Sequence, residues 1–200
     1  MKTTLLVVGR TVEQHYITAI NDYIQRTKRY ITFDMEVIPE LKNTKSLSME
    51  VQKEKEGELI LKALQPGDVV VLLDEHGKEM RSLEFAEYMK RKMNTVNKRL
   101  VFIIGGPYGF SEKVYQAAHE KISMSKMTFS HQMIRVIFVE QIYRAMTILN
   151  GGPYHHRLLE NIVDMQPCPR QNKESRHRQP AHSLRIAAKA QKDPRLERFY

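Results

Sequence analysis

The 200-residue sequence predicts an α/β domain with a mostly parallel sheet flanked by helices. Three observations predict it. Strand-type and helix-type segments alternate through the first three quarters of the chain, the pattern of repeated β–α units. Two aliphatic and β-branched runs, DVVVLL at 68–73 and LVFII at 100–104, show no polar alternation, as strands covered on both faces by helices require. Each run leads into a glycine-containing segment, and loops beyond the carboxyl ends of such strands are where open α/β sheets bind ligands.

The elements follow in order. Residues 3–8 (TTLLVV) form a short apolar strand closed by Gly9. Residues 12–27 place Ile17, Ile20 and Ile24 at helical spacing. Residues 33–38 alternate apolar and acidic side chains up to Pro39, as a half-exposed strand does. A charged helix over 49–64 gathers Leu59, Ile60, Leu61 and Leu64 toward its end and stops at Pro66-Gly67. The strand at 68–73 leads into Asp74-Glu75-His76-Gly77-Lys78, which reads as a turn with Gly77 at its tip. Ser82 is placed to cap a helix through 94, and Ser111 one through 119. Between them lies the strand 100–104. A short strand-like piece at 121–125 precedes a long helix over 131–149.

Net charge is +9, from 32 Lys and Arg against 23 Asp and Glu, which points to a polyanionic partner. The excess is uneven. Residues 1–156 hold 22 basic and 18 acidic side chains, whereas residues 157–200 hold 10 and 5. The second stretch is rich in Arg, Gln and His, and Pro167, Pro169, Pro180 and Pro194 interrupt it; only 184–191 suggests a helix. Two parts are therefore expected: a compact domain over 1–156 and a poorly ordered basic tail over 157–200. The single cysteine, Cys168, cannot form an internal disulfide and fits a reducing cytoplasm. The longest apolar runs have five residues, against the ~20 of a membrane span, so no membrane partner is expected.

The loops hold the unusual residues. Gly105-Gly106-Pro107-Tyr108-Gly109 would let the backbone approach a flat ligand, or would form a tight strand-to-helix turn that binds nothing. Its G-G-x-x-G spacing is not the G-x-G-x-x-G of dinucleotide sites, and no Gly-Lys-Ser/Thr follows as in a phosphate loop. Residues 123–131 (SMSKMTFSH) read as a ligand loop or as a plain loop with a helix cap. His155-His156 lacks a third ligand at a recognised spacing, so no metal site is expected. The remaining histidines, His131 among them, read as surface or capping residues. Lys90-Arg91-Lys92 with Lys98-Arg99, and Arg26, Lys28 and Arg29, are solvated helix ends or a nucleic-acid patch.

Taken as an ordered set, several motifs resemble the RlmH family of the SPOUT superfamily. They are LLVVGR at the start, KEKEG at 53–57, Leu73-Asp74 with Gly77-Lys78, and Ile104-Gly105-Gly106-Pro107 with Gly109. SMSKMTF at 123–129, His131-Gln132-Met133 with Arg135, EQIYRA at 140–145 and Pro153-Tyr154-His155 complete the set. The resemblance implies an α/β fold whose C-terminal part forms a trefoil knot, an exception to ordinary topology. It implies a homodimer that binds S-adenosyl-L-methionine and methylates N3 of a pseudouridine in 23S rRNA, on the assembled ribosome. Neither DNA nor a membrane is an implied partner. Carried over by position, the cofactor contacts fall on Leu73, Gly105, Met124, Ser125, Lys126, Met127, Thr128 and Phe129.

Family positions near the active site fall on Glu140, Arg144, Tyr154 and His155. N3 of a pseudouridine carries a proton that must leave before or during methyl transfer, so a base or an anion-stabilising group is needed. His155 is the candidate base, its unperturbed pKa lying near 6.5. Arg144 would stabilise the anion or hold a phosphate. The plain alternative for Glu140 and Arg144 is an i,i+4 ion pair. This chain departs from the family in continuing 44 residues beyond position 156. The competing expectation is a non-catalytic, ribosome-associated RNA-binding factor on the same fold.

Overall fold

The computed structural model describes residues 1–41 and 43–152. Five strands and five helices alternate as β1 (Lys2–Val8), α1 (Gln14–Thr27), β2 (Thr32–Ile38), α2 (Met49–Ala63), β3 (Asp68–Glu79), α3 (Ser82–Thr95), β4 (Arg99–Ile104), α4 (Glu112–Ala117), β5 (Glu120–Ser123) and α5 (His131–Leu149). All pairings are parallel, and the order across the sheet is β2-β1-β4-β3-β5. The three central strands are those with the most continuous apolar sequence, because helices cover both of their faces.

Side-chain alternation divides the core into two layers. Leu5, Val7, Val71, Leu100 and Phe102 face one side, beneath α1, α3 and α5. Leu6, Val70, Leu72, Val101 and Ile103 face the other, beneath α2 and α4. Helix α5 is the centre of the first layer. Its Phe138, Ile142, Ala145 and Met146 are buried, it packs on both α1 and α3, and the Phe138 ring lies 4.9 Å from that of Phe102. Helix α2 turns Ile60 inward, and α4 turns Val114 inward.

At the amino ends of β3 and β4, Arg99 donates to Asp68 through Nε (3.0 Å) and Nη2 (2.6 Å), a two-pronged pair with both residues buried. Arg99 also donates to the Ala63 carbonyl at 3.1 Å, tying the end of α2 to the sheet. This pair takes Arg99 out of the predicted basic cluster. Lys92 is likewise paired with Glu120, Lys90 with Glu87 and Arg26 with Asp22. Four of the eight cluster residues are therefore held in ion pairs at helix and strand ends.

One predicted turn is a strand. The segment 74–78 does not end β3, which runs on to Glu79. Leu73 and Lys78 both register with Ile122 of β5, so residues 74–77 bulge out of the ladder and the strand then rejoins it. Gly77 permits the return: a Cβ there would lie 2.4 Å from the Ile122 carbonyl carbon. Within the bulge the Asp74 side chain accepts from the His76 backbone N–H at 2.8 Å, an Asx-type turn. Helix starts differ slightly as well. Ser82 is the first residue of α3 rather than its cap, and the Arg81 backbone N–H donates to Glu84 at 2.8 Å instead. The expectations for residues 157–200 lie outside the described residues.

Candidate active site

A cavity of about 590 Å³ opens where β3 leaves its ladder and where β4 and β5 end. Its size is that of a small-molecule or cofactor site. The three loops that stood out in the sequence meet there. Leu73 stands at the start of the bulge, Ile104 and Gly105 at the end of β4, and Ser123, Met124 and Ser125 at the end of β5. Met127, Thr128 and Phe129 continue the third loop along the cavity.

That third loop is organised by its serines. Ser123 Oγ donates to the Ser125 carbonyl at 2.9 Å, and Ser125 Oγ accepts from the Met127 backbone N–H at 2.9 Å. Ser130 caps α5, accepting from the Met133 N–H at 3.3 Å. The start of α5 is in turn fastened to the loop after β1. Gln132 Oε1 accepts from the backbone N–H groups of Val12 (2.9 Å) and Glu13 (3.0 Å). The buried Arg135 donates to the Val8 carbonyl at 2.7 Å and to Thr11 Oγ1 at 2.9 Å. Four polar contacts thus hold the helix that carries His131 and Ile134 against the cavity.

The glycine loop has a packing reason beyond ligand approach. A Cβ on Gly106 would lie 2.0 Å from Glu56 Oε2, and one on Gly105 would lie 3.0 Å from the Phe110 ring. Glu56, in the 53–57 motif on α2, is a buried carboxylate packed against this loop rather than in the cavity itself. Its Oε1 accepts from Gln52 Nε2 at 2.8 Å, while Oε2 has no hydrogen-bond partner among the described residues.

Three titratable groups in the cavity are shifted. Burial opposes charge on Asp74, but a 2.6 Å hydrogen bond from the Tyr115 hydroxyl and the His76 N–H outweigh it and hold the carboxyl below its ordinary range. The same contact, added to burial, pushes the Tyr115 phenol up. Burial and the nearby Arg135 charge push His131 down, against a smaller opposing pull from Glu56. His131 is thus the exposed first residue of α5, a helix-start surface residue as expected, that also borders the cavity, where burial and charge disfavour its imidazolium form.

The remaining predicted positions do not all converge. Lys126 lies outside the cavity, beside a shallow pocket with Glu79, Met80 and Arg81. Glu140 and Arg144 sit on α5, not among the cavity residues, and form the i,i+4 pair at 2.6 Å. Glu140 also accepts from Gln141 Nε2 at 2.6 Å. Tyr154 and His155 lie outside the described residues. Lys53, from the 53–57 motif on α2, and Tyr115 on α4, which no motif marked, also reach the cavity.

Comparison with known proteins extends this geometry. The pattern of the family described as "Predicted SPOUT methyltransferase" matches residues 1–155. The chain is similar to proteins named "Ribosomal RNA large subunit methyltransferase H" from several bacteria. With that of Bacteroides thetaiotaomicron it is 94% identical over 156 residues, covering 78% of this chain and 99% of the other. With those of Bacteroides fragilis and Parabacteroides distasonis it is 87% and 67% identical over the same spans.

Proposed function

The chain belongs to the SPOUT methyltransferase family, and on that premise we propose that it methylates N3 of a pseudouridine in 23S rRNA of the assembled ribosome, with S-adenosyl-L-methionine as methyl donor. Residues 1–156 are the working domain in this reading, acting as a homodimer in the cytoplasm. The observation that carries it is the convergence of Leu73, Gly105, Met124, Ser125, Met127, Thr128 and Phe129 on one cavity from three separate loops. The relatives are named for large-subunit rRNA methylation, which supplies the substrate class.

The residues present fit the donor. The cavity has apolar walls in Leu73, Ile104, Met124 and Phe129 for a flat base, backbone groups along 123–129 for its edges, and an ionised carboxylate in Asp74. When bound, the donor supplies a methyl group activated on a sulfonium. Leu73, Gly105 and residues 124–129 hold it, Lys126 through its backbone. Holding the two reactants in line is a large part of the catalysis such a site can provide. Arg144, fixed by Glu140 at 2.6 Å, stabilises negative charge on the pseudouridine ring as its N3 proton leaves. His155 takes that proton, and Tyr154 beside it orients the base. The trefoil knot belongs to the same reading.

Thermal unfolding with and without the donor tests the cofactor half of this proposal. A ligand specific to the folded state at 100 times its Kd stabilises by about 2.7 kcal/mol, so the unfolding temperature rises with donor concentration. An unchanged melting curve at millimolar donor would instead favour the non-catalytic RNA-binding factor.

A further inference from the structure

We propose that Asp74 makes the cavity select the cationic methyl donor over its demethylated product, its carboxylate complementing the charge of the sulfonium. The inference rests on the methyl-donor reading above. Two carboxylates border the cavity among the described residues, and they differ in kind. The Glu75 side chain is 71% exposed, where water screens it, whereas that of Asp74 is 8% exposed.

A carboxylate this deep calls for a cation or a full set of donors. Asp74 has the Tyr115 hydroxyl on one oxygen and the His76 N–H on the other. Its ion-pair partner among the described residues is the exposed His76 ring at 3.4 Å, and no Lys or Arg pairs with it. A carboxylate offers about four acceptor positions, so the two hydrogen bonds leave capacity unused. The bulge in β3 is what presents this group: it lifts residues 74–77 out of the ladder beside Leu73, at the cavity.

The consequence concerns turnover. In methyl transfer the sulfur keeps the electron pair of the broken S–CH3 bond and becomes a neutral thioether, the methyl carbon bonds to N3, and the N3 proton leaves to a base. The attraction to Asp74 therefore exists before transfer and is lost after it, which favours exchange of product for fresh donor. Both ligands carry the same α-ammonium and carboxylate, so the difference between them isolates the sulfonium.

Isothermal titration of the full-length protein with S-adenosylmethionine and with S-adenosylhomocysteine tests this. Asp74→Asn is expected to weaken the sulfonium ligand about tenfold more than the thioether. Tyr115→Phe, which keeps the carboxylate and removes one hydrogen bond, is expected to leave that ratio within about threefold of wild type. Equal weakening of both ligands by Asp74→Asn would overturn the proposal, as would no weakening, or the same change of ratio in Tyr115→Phe. A wild-type protein that binds neither ligand would overturn the methyl-donor reading itself and this inference with it.

Discussion

Replacing Gly77 by Ala tests the link between the bulged strand and the cavity. The added Cβ would lie 2.4, 2.6 and 2.7 Å from the carbonyl carbon, nitrogen and Cα of Ile122, all backbone atoms that no side-chain rotation can move away. Ordinary contact begins near 3.4 Å, so β3 and β5 must separate by about 1 Å at this point. Overpacking of this kind costs about 1–3 kcal/mol. The pairing of Lys78 and Glu79 with Ile122 and Ser123 is disturbed with it. In a domain of this size a loss of about 2 kcal/mol lowers the unfolding temperature by roughly 4–8 °C. Because Ser123 opens the loop that lines the cavity, donor affinity should fall about tenfold or more, as misplacement by an ångström is costly. Calorimetric unfolding and titration with S-adenosylmethionine read both effects. Without the close approach, Gly→Ala would stabilise the fold by about 0.4–1 kcal/mol through the unfolded chain. A Gly77→Ala protein that melts no lower than wild type and binds the donor equally well would refute the reasoning.

Asp68→Asn leaves the buried Arg99 with Glu36 at 3.3 Å as its remaining carboxylate partner, so urea unfolding at pH 7 should show a loss of about 2 kcal/mol. Burial opposes charge on Asp68, but hydrogen bonds from Arg99 and from the Gln65 N–H prevail and depress its pKa. Its contribution is then complete above the unfolded value near 3.9 and disappears as pH falls through the lower folded value, so wild type and variant should converge in strong acid. A gap that persists unchanged at pH 2 would contradict this. Gln132→Ala removes the acceptor of the Val12 and Glu13 amides and should cost about 1 kcal/mol. Hydrogen exchange at those two amides should quicken relative to the rest of α1; unchanged protection would show that Gln132 does not hold the loop.

The order of elements was legible because burial and periodicity are local properties. The runs at 68–73 and 100–104 read as two-faced strands and are central in the sheet. The spacing of Ile20 and Ile24 marks the face that α1 buries. Where a segment's state depends on a distant partner, the sequence is silent. Residues 74–79 (DEHGKE) carry no apolar side chain, and the strand resumes at Lys78 and Glu79 only because β5, more than 40 positions away, supplies the ladder they rejoin. The same limit applies at the cavity. The loops after β3, β4 and β5 were visible as anomalies and Lys53 lay in a motif, whereas the meeting of Asp74 with Tyr115 arises only through the packing of α4 and the bulge. Lys126 shares its loop with six cavity residues, yet borders only the neighbouring pocket with Glu79, Met80 and Arg81. His131 reads as a helix-start residue and is one, exposed at the start of α5; only its place beside the cavity, with partial burial and Arg135 one turn along lowering its pKa, was not legible.

The central claim is that this chain transfers a methyl group to large-subunit rRNA, and one measurement reaches it directly. Ribosomes from cells lacking the protein are incubated with the purified chain and S-adenosylmethionine, and the nucleosides of the 23S rRNA are analysed by mass spectrometry with fragment mapping. The expected result is 3-methylpseudouridine at a single position, absent when the donor is omitted. A protein that binds the donor tightly and yet leaves the 23S rRNA without any new methyl group would contradict it.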